Sequence, residues 1–367
     1  MPTTALALPD APAAASLPLP AVITPVCRRP RLDWAQAPLY VVLNARSGQH
    51  GGAPPLCERL NARLRAEGRR FRLLQANHPR ELQGLARVAV NDAVSDGGIV
   101  VAAGGDGTIN TVVQALWRQQ VPFGVLPQGT FNFFGRSHGV SQETEAGIDT
   151  LLAGLAQQHL KPVQIGLVND QVFLVNASLG LYPELLEDRE RMKRRYGRSR
   201  AVAWLAGALT LMRPHRPLQI QLQQTDADGR SSEEHRRIAT LFVGNNPLQL
   251  EQVGLDEAEA VRRGHLAALT LAPMGPLALA RLAARGWLGK LGATDEVNNF
   301  AFSQLQIGRM GRRGRRAAAT PGAAEPRGGR VKVAFDGESA RLHTPLHFRV
   351  APLPLWLVVP PGLPAIP

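Results

Sequence analysis

Residues 98–108 read GIVVAAGGDGT, and the fold follows from how this stretch divides. Gly98–Ala103 is a short apolar run of the kind buried on both faces of a parallel sheet. Gly104-Gly105-Asp106-Gly107-Thr108 follows it directly, and Ile109–Arg118 then carries apolar residues at helical spacing. A glycine-rich turn between a buried strand and a helix lies at the carboxyl end of the strand, where open α/β sheets bind ligands. Glycines there let a phosphate approach the backbone without meeting a Cβ, and the free N–H groups of the helix start favour an anion. Thr108 is placed to cap that helix. Asp106 would repel a bare phosphate, so its presence points to a Mg²⁺ that bridges to phosphate oxygens. Its loop lies at a surface, so the charge is expected to matter for the metal more than for folding. The run is neither a P-loop, which needs Gly-Lys-Ser/Thr, nor the dinucleotide G-x-G-x-x-G pattern.

The same alternation extends on both sides. Leu39–Leu43, Phe71–Gln75 and Phe123–Leu126 have strand character, while Pro55–Glu67 and Pro79–Val94 each open on proline and continue as helices. Such β-α units predict a parallel sheet covered by helices. The first strand runs into Asn44-Ala45-Arg46-Ser47-Gly48, and the fourth into Pro127-Gln128-Gly129-Thr130-Phe131-Asn132, whose Gly-Thr pair opens another helix. Three small-polar loops along one sheet edge point to a nucleotide site. Beyond about residue 160 the pattern becomes strand-rich, with alternation at Val163, Ile165 and Leu167 and hairpin signals at Asn169-Asp170 and Asp228-Gly229. Strands are expected at Val172–Ala177, Ile238–Val243, Leu266–Leu271, Leu305–Gly308 and Val331–Phe335, with helical insertions near 201–212 and 276–289.

The chain has 367 residues, 44% hydrophobic and 19% charged, which is enough for one large domain or two ordinary ones. Two cysteines, Cys27 and Cys57, support neither a disulfide framework nor a cysteine-rich metal site. Basic residues exceed acidic ones by 42 to 29, a formal charge of +13. Arginine supplies nearly all of it, because Lys161, Lys193, Lys290 and Lys332 are the only lysines. The excess suits phosphate-bearing partners such as nucleotides or anionic headgroups, and equally reflects a composition rich in Ala, Gly, Pro and Arg. No recognised nucleic-acid module accompanies it, so nucleic acid is not an expected partner. Residues 1–37 form an Ala/Pro-rich leader expected to be disordered, without the basic start of a secretory signal. The apolar stretch Ala201–Met212 is too short to span a bilayer, so a cytoplasmic protein, peripheral to the membrane, is expected. Homodimerisation is left open.

Two further segments complete the pattern: Phe173–Gly180 (FLVNASLG), and Asp336-Gly337-Glu338 ahead of a terminal Leu-Val-Val-Pro strand. With the three loops, in this order and spacing, the chain resembles the diacylglycerol kinase catalytic-domain family, which includes sphingosine kinases and bacterial lipid kinases and shares its fold with NAD kinases. The resemblance runs from about residue 39 to the Pro360 region. It implies an α/β fold: an NAD kinase-like parallel-sheet N-terminal domain (39–160) and an antiparallel β-sandwich C-terminal substrate domain (161–349). The last strand, around Leu355–Val359, returns to the first domain. ATP and Mg²⁺ would occupy the cleft, and the γ-phosphoryl group would pass to a lipid hydroxyl at an anionic membrane surface. Asn44, Ser47, Gly48, Gly104, Gly105, Gly107, Thr108, Gly129, Thr130 and Asn132 would line the nucleotide. Asp106, with Glu81 as a looser match, would belong to the metal, and Glu338 would be the base or hydroxyl-orienting group. Lys193 matches a basic position upstream of Gly197. Three departures stand out: Phe133 and Gln164 replace aspartates, and Arg262-Arg263-Gly264 replaces an Asp-Asp-Gly run used near a second, structural Mg²⁺. The alternatives are a kinase of a soluble hydroxyl compound, and a catalytically inactive, membrane-associated nucleotide-binding regulator.

Overall fold

The computed structural model describes residues 29–45, 55–129, 131–180, 217–226, 229–275, 277–279, 281–282, 297–309 and 329–366. Four strands, β1 (Leu39–Asn44), β2 (Phe71–Ala76), β3 (Ile99–Gly104) and β4 (Phe123–Pro127), pair in parallel in the order β2-β1-β3-β4. Helices α1 (Leu56–Ala66), α2 (Pro79–Asp96), α3 (Asp106–Leu116), α4 (Phe133–Ser137) and α5 (Thr144–Ala156) join or follow them. The β2→β3 and β3→β4 connections advance in the same direction across the sheet, and right-handed crossovers therefore put α2 and α3 side by side on one face. Val90 and Ala93 of α2 and Val112 and Val113 of α3 share a buried core there, while Leu60, Ile148 and Leu151 of α1 and α5 fill the other face. Pro79 and a His78–Glu81 capping box start α2, and Gly97, at φ 63°, ends it in the left-handed conformation.

The remaining strands run antiparallel. They are β5 (Leu160–Val163), β6 (Gly166–Val168), β7 (Gln171–Phe173), β8 (Asn176–Gly180), β9 (Leu218–Thr225), β10 (Ser231–Ile238), β11 (Thr240–Gly244), β12 (Leu266–Leu271), β13 (Val297–Phe302), β14 (Gln304–Arg309), β15 (Arg330–Phe335), β16 (Glu338–His343) and β17 (Leu346–Val350). Short helices α6 (Pro247–Gln252) and α7 (Ala258–Arg262) lie between β11 and β12. One sheet has the order β10-β9-β14-β17-β6-β7, the other β13-β12-β11-β8-β15-β16. Their inner faces bury one common core that includes Phe173, Leu222, Leu241, Phe302, Val333 and Phe348, so the pair is a β-sandwich. The final strand, β18 (Leu355–Val358), lies in the first sheet, parallel to β4 and antiparallel to β5.

Four expectations are corrected. The leader does not extend to residue 37: Leu32, Trp34 and Ala37 pack on the first sheet's core, and Arg69 and Arg70 donate to the Trp34 and Gln36 carbonyls. The first sheet reaches Val163 through β5, past the expected boundary at 160. Helix α3 starts at Asp106, three residues before Ile109. The expected strand Val172–Ala177 is interrupted at Leu174 and Val175, whose N–H groups donate to a side chain, Asp336, in place of a neighbouring strand. The expected helix at 201–212, most of that at 276–289, and the charged stretches Glu184–Arg200 and 310–328 lie outside the described residues. Among the described residues no helix is long and apolar enough to cross a membrane.

Candidate functional site

The glycine-rich run turns from β3 into α3 with Gly105 as the helix N-cap residue. The first i→i−4 bond is Ile109 N–H to the Gly105 carbonyl, at 3.0 Å. That leaves the first-turn amides of Asp106, Gly107 and Thr108 without intrahelical acceptors, a set of donors suited to phosphate oxygens. Thr108 is buried in this turn and does not cap the helix. Its hydroxyl accepts from Asn44 Nδ2 at 3.2 Å, which ties the ends of β1 and β3 together.

The second loop packs directly on the first. A Cβ added to Gly129 would stand 2.8 Å from the Gly105 Cα, so only paired glycines permit this approach. Asn132, buried and at φ 48°, accepts from the Gly129 N–H at 2.8 Å and donates to the Gly129 carbonyl at 2.9 Å. Gly129 and Asn132, expected as nucleotide ligands, thus spend these groups on closing their own loop. Ser47, Gly48, Thr130 and Lys193 lie outside the described residues.

Asp106 also has a use that its sequence context did not show. Its two carboxylate oxygens accept from the Phe133 and Phe134 N–H groups, each at 3.3 Å, so it caps α4 across the loop. Burial raises its pKa, opposed by those backbone donors and by Arg136. The residue is therefore structural as well as a candidate metal ligand.

Glu338 opens β16, opposite Phe335, immediately after a two-residue turn in which Asp336 (φ 47°) and Gly337 (φ 89°) are both left-handed. This is the geometry of a tight hairpin, and it keeps Glu338 within the pairing of β15 and β16. The hairpin tip faces α3: a Cβ on Gly107 would lie 3.5 Å from Glu338 Oε1. Asp336 holds the tip there. Although buried, its carboxylate accepts from Leu174 N (2.6 Å), Val175 N (2.9 Å), Asn176 N (3.0 Å) and Asn110 Nδ2 (2.7 Å). Burial pushes its carboxyl up to about 6 against the pull of these donors. Asn110 donates as well to the Val172 carbonyl at 2.9 Å, so α3, the β7–β8 connection and the hairpin form one hydrogen-bonded unit.

These parts surround a cavity of about 720 Å³. Asn44, Gly105, Gly107, Thr108 and Glu338 line it, as do Gln83 and Arg87 of α2 and Gln114 of α3. Glu81 does not. Its carboxylate accepts from the Asn77 and His78 N–H groups, at 2.9 and 3.3 Å, and serves as the helix cap. That removes the reason to assign it to a metal. Asn110, Asp336, Gln83, Arg87 and Gln114 were not singled out from sequence. Asp336 alone carried a signal, because it adjoins Glu338 in an Asp-Gly turn.

Among the described residues no group of three His, Cys, Asp or Glu side chains could hold a metal ion. Mg²⁺ commonly takes one or two carboxylates and completes its shell with phosphate oxygens and water. Of the two candidate carboxylates, Glu338 lines the cavity, whereas Asp106, at the start of α3, turns both oxygens to the α4 amides and does not line it. The departures noted in sequence also resolve. Gln164 donates to Asn245 Oδ1 at 2.8 Å and to the His265 carbonyl at 2.9 Å, and Arg262 pairs with Glu251 and Glu259. Phe133 stacks on Phe131 with ring centroids 5.8 Å apart.

The fold sets a glycine-rich turn, at the edge of a parallel α/β sheet, beside an antiparallel β-sandwich. Residues 38–168 match the family model of the diacylglycerol kinase catalytic domain. The diacylglycerol kinase of Bacillus subtilis (strain 168) is 33% identical over 129 residues, covering 34% of this chain and 40% of the relative. A protein of Cronobacter sakazakii named "Probable lipid kinase YegS-like" is 34% identical over 137 residues, covering 34% and 44%. The chain thus spans less than half the length of these curated relatives. The crystal structure of a diacylglycerol kinase from Bacillus anthracis str. Sterne superposes with a TM-score of 0.56 at 17% identity, covering 89% of this chain and 98% of that one. That match extends the fold likeness to the β-sandwich.

Proposed function

We propose that this chain is a lipid kinase that uses ATP and Mg²⁺ to phosphorylate the hydroxyl of a lipid such as diacylglycerol or a sphingoid base. The observation that carries the reading is the approach of the Glu338 carboxylate to the first turn of α3, two elements far apart in sequence. Phosphoryl transfer needs positioning and charge stabilisation more than covalent work by the protein. The amides of Gly107 and Thr108 suit the phosphate oxygens, and Glu338 stands where an acceptor hydroxyl would approach the γ-phosphorus. Its carboxylate orients that hydroxyl and takes its proton as the new O–P bond forms and the bond to the β-phosphate oxygen breaks. Mg²⁺, for which Asp106 is the candidate carboxylate, would neutralise the phosphate charge. The lipid class is supported by the names of the relatives.

The test supplies γ-labelled ATP and Mg²⁺ with mixed micelles of diacylglycerol, monoacylglycerol or sphingosine, or with NAD. Label entering the organic phase supports a lipid acceptor. Label on NAD would replace the reading with a soluble-acceptor kinase, and none on any acceptor would favour a regulator.

Asp106→Asn is expected to lower turnover at least ~10-fold, because a metal ligand is lost. It should also cost about 1–2 kcal/mol of stability, since an amide nitrogen would face one of the α4 donors. Near-normal turnover in a purified variant would remove Asp106 from the metal site. The arginine excess further supports docking at an anionic membrane surface. Binding to acidic vesicles should fall steeply with salt, because exposed charges are screened over about 10 Å at 0.1 M. Equal binding to neutral vesicles would leave composition as the explanation for the charge.

A further inference from the structure

The cavity has two ends. The phosphate-binding turn and Glu338 mark one. From there α2 and α3 both run away from the carboxyl edge of the sheet, and their lining residues form two facing stripes: Pro79, Gln83 and Arg87 on α2, and Gly107, Thr111 and Gln114 on α3. Each stripe steps by three or four residues, so each occupies one helix face. At 1.5 Å per residue Arg87 lies about 12 Å along α2 from Pro79, and Gln114 about 10 Å along α3 from Gly107. Arg87 therefore belongs to the end remote from the reacting phosphate. It is the one cation among the described lining residues, and it makes no ion pair or hydrogen bond with any described residue. By contrast, Arg72 on the neighbouring strand is paired with Asp92 at 2.7 Å. Gln114 cannot play the same part, because its amide is engaged by the Val172 N–H at 2.7 Å and the Asp170 carbonyl at 3.0 Å. Leu82 and Ala115 add apolar surface to the lining of the same cavity.

We propose that Arg87 holds the nucleoside portion of the phosphoryl donor, so that this end of the cavity selects a nucleoside triphosphate over inorganic triphosphate. The inference rests on the reading of the cavity as the nucleotide site. A guanidinium is planar, stacks on ring faces and presents five donors in a fixed fork, which suits the acceptor edge and face of a base. An ammonium offers the charge without the plane. The unpartnered cation is thus a recognition group at the base end, and the backbone amides at the other end bind the phosphates.

The experiment measures calorimetric affinities of the full chain for ATP and for inorganic tripolyphosphate, with Arg87→Ala and Arg87→Lys beside the parent. Arg87 is exposed on α2, so both variants should keep the parent's melting temperature. The expected result is an ATP dissociation constant raised about tenfold in Arg87→Ala, with little recovery in Arg87→Lys and tripolyphosphate affinity within about twofold throughout. Equal weakening of both ligands would make Arg87 a phosphate contact and overturn the proposal, as would full recovery by lysine or unchanged ATP affinity. A parent that binds ATP no more tightly than tripolyphosphate would also overturn it, while leaving the phosphate site intact. A parent that binds neither would overturn the nucleotide reading itself, and the proposal with it.

Discussion

Glu338→Gln is expected to lower phosphoryl transfer by ~10²-fold or more while leaving the melting temperature and ATP affinity unchanged. Glutamine keeps the shape of the side chain and its hydrogen-bonding reach but cannot take the proton of the attacking hydroxyl. The residue is exposed at the start of β16. The hairpin that carries it is fixed by the turn residues Asp336 and Gly337 and by pairing with Phe335. Loss of turnover without loss of stability is therefore the signature of chemistry. Steady-state rates on micellar lipid, with thermal melts of the same samples, test it. Turnover within a few-fold of the parent would show that the proton leaves by another route, and Asp106 would be the next group to examine.

Asp336→Asn should show the opposite pattern, a large loss of stability that also removes activity. Each carboxylate oxygen accepts from two donors: Oδ2 from Leu174 N and Asn110 Nδ2, Oδ1 from Val175 N and Asn176 N. Whichever way an asparagine is turned, its amide nitrogen faces two of those donors. Leaving buried N–H groups unpaired in this way is expected to cost about 2–4 kcal/mol at pH 8, where the native carboxylate is ionised. The same change frees the hairpin tip from α3, so Glu338 loses its position against Gly107. Urea unfolding of the two proteins measures the difference. A variant as stable as the parent would mean that the three-part junction does not depend on this carboxylate, and the account of how the two domains are registered would fail with it.

The contrast between Glu338 and Asp336 shows what could be read from the chain alone. Buried strands such as Ile99–Gly104 and Phe123–Pro127 announce themselves, because an apolar run of that length has few alternatives. The glycine-rich turn was legible for the same local reason. Edge strands were not: β10 reads SSEEHRRI, and it is a strand because β9 pairs with it along its whole length, not because of its own pattern. The site divides in the same way. Gly105, Gly107, Thr108 and Glu338 lie in motifs and reach the cavity. Asn132, Gly129 and Glu81 also looked like ligands, yet their polar groups close a loop or cap a helix, uses that depend on neighbours at short range and on backbone angles. Asn110 and Asp336 are 226 residues apart, and no local pattern could join them. Arg87 sits in an ordinary amphipathic helix and gains meaning only when α3 is laid beside it.

The most direct test of the central claim is a crystal structure of the chain with Mg²⁺ and a non-hydrolysable ATP analogue. The account predicts the triphosphate on the Gly105–Thr108 turn, its terminal phosphate beside Glu338, and the nucleoside extending along the α2–α3 groove towards Arg87. A nucleotide bound elsewhere, or one whose terminal phosphate points away from Glu338, would contradict it.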